Sequence, residues 1–331
     1  MIKVSAQAKI NWLAGLVLLA ALAIYPLLVD VEASYGVTFL FQAFLYVTIA
    51  QSWNLIAGYT GQVSLGQHAF FGVGAYAMGI SWMAGFTGFM DPLAFVLAAS
   101  AAALLGVLIG IPLLSKLRGD YFALGTLGLG EILRVVVTQG GSLTGGSTGL
   151  LLPSGAYTSL TPYYYTGLGL ALGSTLLCWA LLRSRLGLAF ISIRDDEQAA
   201  SVCGVPVLRY KIISLAISGA LAGLAGSLYA YNTFQVMPDD VFGLQWCLFP
   251  VLMCIVGGMG SLRGPILGSF LLAGLFQLTS LYLPRVHPLI SGTFIILFAM
   301  WLPKGLTGLV NINPAKVFAR FWSASPTERV P

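Results

Sequence analysis

Long apolar runs broken by short polar connections set the organisation of this chain. A helix that crosses a bilayer needs about 20 predominantly apolar residues. Ten runs meet or approach that length: Trp12 to Val29, Val37 to Ala57, Val63 to Met83, Pro92 to Leu114, Tyr121 to Thr138, Tyr165 to Leu182, Ile212 to Tyr231, Phe242 to Met259, Ile266 to Leu283 and Pro288 to Leu302. The third is interrupted by glycine and the last is short, so re-entry rather than crossing stays open for both. The pattern predicts an all-α polytopic membrane protein of about ten transmembrane helices. It forms one transmembrane domain over residues 1–331, with a charged loop at 183–211 and a short tail at 303–331.

The charges sort onto one side of this arrangement. If every run crosses, alternate connections carry Lys3 and Lys9, Lys116 and Arg118, then Arg183, Arg185, Arg194, Arg209 and Lys211, then Arg263, and finally Lys304, Lys316, Arg320 and Arg329. The opposite connections carry only Arg285, beside Asp30, Glu32, Asp91, Asp239 and Asp240. Lys and Arg accumulate on the cytoplasmic side of membrane proteins, which predicts that both termini are cytoplasmic. The first run follows Lys3 and Lys9 as a leader peptide would, but it is long for one and its loss would upset the sorting; it is read as a span.

The charged loop has the local grammar of a short helix. Asp195 or Asp196 can cap its first turn, Gly204 stands where a left-handed stop is wanted, and Pro206 suits the first position of the next helix. A helix of about eight residues is marginal alone in water and needs a surface to lie on. Ala199, Ala200 and Cys203 make a face small enough for close approach, ringed by Arg194, Asp195, Asp196, Glu197 and Arg209.

Composition agrees with the class: 58% of residues are hydrophobic and 8% charged, against roughly 25% charged in a soluble domain. The net charge of +5 is accounted for by the basic connections and does not call for nucleic acid. Cys178, Cys203, Cys247 and Cys254 show no paired spacing, so neither a disulfide framework nor a metal site is expected. Phosphate-binding-loop, zinc-hydrolase and nucleophile-elbow motifs are missing, so neither catalysis nor a cofactor is expected. Polar residues inside the runs are therefore read for transport, because such groups are costly at membrane depth and face the bundle interior or water. Asn54, Gln67, His68 and Gln245 are the candidate translocation path, and Glu131 and Arg134, three residues apart, are a candidate ion pair inside the bundle. Gly106 with Gly110, and Gly219 with Gly223, fit a small-residue helix contact. The stretches GYTGQVSLG and GGMGSLRGP look alike and hint at an internal duplication.

Four stretches in order make the reading specific: SWNLIAGYTGQVSLGQHAFFGVGAYA (Ser52 to Ala77), RGDYFALGTLGLGEI (Arg118 to Ile132), LTGGSTGL (Leu143 to Leu150) and the charged loop. Together they resemble the permease subunit of bacterial branched-chain amino acid ABC importers, in its LivM-type form. The resemblance implies a type II-like importer permease in the inner membrane. It implies as partners a second related permease, two cytoplasmic ATP-binding subunits and a periplasmic amino-acid-binding protein. It also places ATPase docking on the charged loop, where ABC permeases carry an EAA motif. Ala199, Ala200 and Gly204 keep that spacing, but Gln198 precedes Ala199 and the acid is displaced to Glu197. Permeases for urea, short amides or other amino acids are the neighbouring alternative.

The charge sorting makes a topological prediction. In a cysteine-free background, single cysteines at Ser147 and Asp239 should react with an impermeant thiol reagent from outside. Reaction of either only after permeabilisation would refute the assignment.

Overall fold

The computed structural model describes residues 6–282, 292–293 and 305–310. Their helices are α1 (Ala6–Leu28), α2 (Tyr35–Trp53), α3 (Gln67–Met83), α4 (Pro92–Lys116), α5 (Asp120–Thr138), α6 (Thr161–Leu182), α7 (Arg185–Asp195), α8 (Glu197–Val202), α9 (Val207–Thr233), α10 (Pro238–Val241), α11 (Gln245–Gly257), α12 (Gly264–Tyr282) and α13 (Gly305–Val310). A π-helical stretch, Asn54–Tyr59, continues α2, and a two-residue pair, β1 (Leu150–Leu151) and β2 (Gln235–Val236), runs antiparallel with Leu150 opposite Val236.

Seven described segments are long and apolar enough to cross a membrane: Tyr35–Tyr59, Pro92–Lys116, Asp120–Thr138, Thr161–Leu182, Val207–Thr233, Pro238–Gly257 and Gly264–Tyr282. The other three expected runs differ in instructive ways. The first coincides with α1, in which Val17–Leu28 is a shorter apolar helix. The third is helical only from Gln67, so that α3 has 17 residues, because its glycine-rich start is extended. The tenth, Pro288 to Leu302, falls outside the described residues apart from Gly292 and Thr293.

Local signals set several boundaries. Asp91 caps α4 by accepting from the Leu93 amide at 2.9 Å, and Pro92 follows at the first helical position. Phe234, in the left-handed region at φ 52°, ends α9 and turns the chain into β2. The β1–β2 pair joins the two segments expected on the outer side, with Leu152 N donating to Phe234 O at 2.9 Å. At the opposite end of the bundle, Arg194 of α7 reaches the Gly58 carbonyl.

The centre is a contact of backbones. The buried face of α4 reads Ala94, Ala98, Ala102, Gly106, Gly110 and Leu114, one small residue per turn until the last. It lies along α9, where a Cβ on Gly223 would come 2.6 Å from the Ala102 Cβ and 2.9 Å from the Ala98 carbonyl. On the other side of α9, a Cβ on Gly74 of α3 would run into the Gly223 backbone. Both small-residue pairs read from the sequence thus lie in this one contact, each against the facing helix: Gly106 abuts Ala216, and Gly219 abuts Ala102. Small residues let helices approach closely where lipid supplies no hydrophobic drive for association.

Filling this contact should be severe. Gly223→Leu or Gly74→Leu should push α3, α4 and α9 apart, with overpacking costing about 1–3 kcal/mol or more. Leu104→Ala, on the exposed side of α4 at 58% accessibility, should be nearly silent. Thermal melting of the purified permease in detergent checks this, and equal midpoints for all three variants would contradict it.

Candidate functional site

The expected path residues do not form one lining. Ser52 Oγ donates to the Ser218 carbonyl at 2.7 Å, Ser218 Oγ donates back to the Ser52 carbonyl at 2.8 Å, and Gln67 Nε2 donates to Ser218 Oγ at 3.0 Å. This closed network ties α2, α3 and α9 at the depth where α3 begins. Asn54, at the first position of the π-helical stretch, donates to the Ser261 carbonyl at 3.0 Å and accepts from Gly260 N at 2.8 Å. It thereby clamps the connection after α2 to the one between α11 and α12, and the two look-alike glycine-rich stretches lie against each other. The imidazole of His68 is packed on Gly130 of α5, where a Cβ would collide with the ring.

Asn54, Gln67 and His68 are all fully buried, but Gln245 is exposed. The helix breaks at Gly243 between α10 and α11, so Gln245 begins a new helix, whereas the apolar pattern predicts one run from Phe242 to Met259. The extended entry to α3 is pinned by Trp53 Nε1 donating to the Ser64 carbonyl at 2.8 Å and by Leu65 N donating to Thr126 Oγ1 at 3.0 Å. Thr126 had given no sequence signal, since a lone threonine in a membrane helix usually bonds its own backbone, as it also does here to Ala123 at 2.9 Å.

Glu131 and Arg134 pair as expected, at 2.8 Å, but not inside the bundle. Their side chains are 43% and 39% exposed, because both stand on the outward face of α5 in its last two turns. Arg134 also meets Asp239 of α10 at 2.8 Å, a partner 105 residues away in sequence. The cluster borders a recess of about 180 Å³ that Ser147 of the LTGGSTGL loop helps to line.

At the opposite end the charged loop is more structured than expected. Residues 185–195 form α7, capped by Ser184 Oγ accepting from Leu186 N at 3.2 Å. Its Phe190 is buried with Leu55, Tyr59 and Cys178. Asp196 then caps α8, accepting from Gln198 N at 2.8 Å and Ala199 N at 3.0 Å, and Gly204 at φ 85° makes the left-handed stop. Pro206 sits one place earlier than expected, at the cap of α9, and 207–211 are already helical.

The small face is divided. Ala200 is 5% exposed and turned to its own chain, with its carbonyl accepting from Val205 N at 3.0 Å, whereas Ala199, Val202 and Cys203 are exposed. A six-residue helix needs one face to hold it to the body, and Ala200 provides it. Glu197, the displaced acid, pairs at 2.6 Å with Lys211, whose side chain is 3% exposed. Arg194 binds Asp195 at 2.9 Å as well as Gly58, and Arg209 is exposed on the first turn of α9.

The Glu197–Lys211 pair makes an asymmetric prediction. Glu197→Gln strands a buried ammonium, a loss of about 3–5 kcal/mol where one partner of a buried pair is removed. Lys211→Met leaves an acid that water can reach and should cost less. Detergent melting curves of the two variants should separate in that order; the reverse order would show that the pair does not hold α8.

Comparison with known proteins is consistent with this architecture. Residues 35–300 match the family described as branched-chain amino acid transport system / permease component. The high-affinity branched-chain amino acid transport system permease protein LivM of Escherichia coli (strain K12) is 30% identical over 79% of this chain and 67% of its own length. The probable branched-chain amino acid transport permease protein LivM of Methanocaldococcus jannaschii is 27% identical over 52% of each chain. The autoinducer 2 import system permease protein LsrC of Enterobacter sp. (strain 638) is 27% identical over 89% of this chain and 83% of its own. No solved structure matches this chain. The match over residues 35–300 and the likeness to LivM, which the buried core of membrane-length helices and the polar clamps between broken helices fit, lead to one conclusion: the chain belongs to the permease-component family of branched-chain amino acid transport systems.

Proposed function

We propose that this chain is a membrane-spanning subunit of an ATP-driven importer that carries leucine, isoleucine or valine into the cytoplasm. It would work in the bacterial inner membrane beside a second related permease, two cytoplasmic ATP-binding subunits and a periplasmic binding protein that delivers the substrate. Likeness to LivM over most of both chains carries the substrate class. The fold is that of a type II-like importer permease with ten crossings and both termini cytoplasmic, as the charge sorting supports. The LsrC relative favours a second reading, import of another small polar solute, and uptake of labelled leucine by the reconstituted complex separates the two.

Coupling to ATP enters at α7–α8. The docking surface we assign is the exposed side of α8, Ala199, Val202 and Cys203, with Arg194, Asp195, Asp196 and Arg209 at the rim. Val202 is 89% exposed and stands beside the exposed Ala199 and Cys203, so this side of α8 offers a small uncharged surface to a partner. Ala200 and Gly204 hold the shape of this surface, and Glu197 straps it to α9 through Lys211.

Val202→Glu should uncouple the complex, with leucine uptake falling at least about tenfold at unchanged permease abundance, since a charge in a desolvated contact is costly. Ser115→Glu, an exposed substitution elsewhere at the same end, should not. Uptake and ATPase activity in proteoliposomes provide the measurement; normal uptake by Val202→Glu would place the coupling contact elsewhere.

A further inference from the structure

The cluster on α5 has an excess of acid. Arg134 spreads its fork between two carboxylates: Nη2 and Nε face Glu131 Oε2 at 2.8 and 3.0 Å, and Nη1 faces Asp239 Oδ1 at 2.8 Å. One guanidinium therefore serves two acids, and Asp239 is 81% exposed, so its half of the arrangement is solvated and weakly held. Beside it is the recess of about 180 Å³, closed on one side by Ser147. Drug-sized ligands occupy roughly 300–1,000 Å³, so this recess suits only the polar head of a small molecule. Along the same exposed side of α5, Ile132 and Val135 are 62% and 56% accessible and continue the surface with aliphatic groups.

From this juxtaposition we propose that Glu131, Arg134 and Asp239 form a zwitterion-exchange site on the outer side of the permease. An α-amino acid presents its carboxylate to Arg134 in place of Asp239, and the released Asp239 takes the α-ammonium. A guanidinium fork matches a carboxylate in two parallel hydrogen bonds, which an ammonium of lysine cannot do. The zwitterion is neutral overall, so the exchange leaves the net charge of the cluster unchanged: Arg134 then serves Glu131 and the substrate carboxylate, and Asp239 serves the ammonium. A branched aliphatic side chain then lies on Ile132 and Val135. The LTGGSTGL loop gains a role as the outer wall of this site. Its turns need left-handed glycines at Gly145, Gly146 and Gly149, at φ 73°, 60° and 72°, and a Cβ on Gly149 would collide with the Val236 carbonyl. This inference rests on the amino-acid import reading.

The experiment uses the complete importer in proteoliposomes, with leucine-loaded binding protein, and reads leucine uptake, ATPase activity and permease abundance together. Arg134→Gln should lower uptake at least tenfold while ATPase stimulation by the loaded binding protein is kept. Asp239→Asn should lower it less, and the double variant Arg134→Gln/Asp239→Asn should be no better than Arg134→Gln. A purely structural ion pair gives the opposite pattern, since removing both partners relieves the stranded charge; recovery of half the wild-type rate by the double variant would overturn the proposal. Where Arg134→Gln does not accumulate, Arg134→Lys keeps the charge without the fork: a threefold or greater loss supports the site, and wild-type uptake refutes it. The wild-type sample reports separately on the amino-acid reading. No leucine uptake by a wild-type complex with active ATPase refutes that reading and the zwitterion assignment with it, whereas uptake that every variant keeps refutes the site alone.

Discussion

Direct contact between helix backbones is the constraint on which the rest of this structure depends. Lipid tails are as apolar as leucine, so burying side chains gives helices in a bilayer little reason to associate, and close packing has to supply it. In this chain α9 is gripped from both sides, by the alanine and glycine face of α4 and by Gly74 of α3. The same packing decides where polar groups can be afforded. Ser218 lies one residue before Gly219, and it bonds Ser52 and Gln67 because three backbones already meet at that depth.

A second constraint is that backbone groups inside a membrane must be satisfied within the protein. The extended entry to α3 and the π-helical end of α2 both break regular helix, and each break is answered by a specific side chain. Trp53 and Thr126 serve the first, and Asn54 serves the connection at Gly260 and Ser261. Asn54, which suggested a solute path, thus maintains irregular backbone, and the Glu131–Arg134 pair on α5 is exposed instead. The path residues of an importer with two permeases need not lie inside either one. A wall shared between them would be exposed in a single chain, as Glu131 and Arg134 are.

Features encoded within a few residues were legible in the sequence. The Asp196 cap, the Gly204 stop, the pairing of Glu131 with Arg134 and the small-residue faces all follow from spacing along one helix or turn. Features that need two distant segments were not. Lys211 counted as one more basic residue of the loop, and only the packing of α8 on α9 shows it buried against Glu197. Burial of Ala200 and exposure of Ala199 could not be assigned while the helix had no body to lie on. Gln245 was misplaced because an apolar run shows no difference between a continuous helix and one restarted after Gly243. The helix α7 gives no span signal because its apolar stretch, Leu186 to Ile193, is closed by Arg185 and Arg194 and is too short to cross a membrane.

Arg194 carries one further consequence. Its side chain reaches the carbonyl of Gly58, and a Cβ on Gly260 would sit 3.3 Å from its Nη1. Asn54 already bolts those two glycine-rich connections together. A force applied to α7 would therefore be passed through Arg194 and Asn54 to the joined ends of α2, α3, α11 and α12, like a push on a single crank.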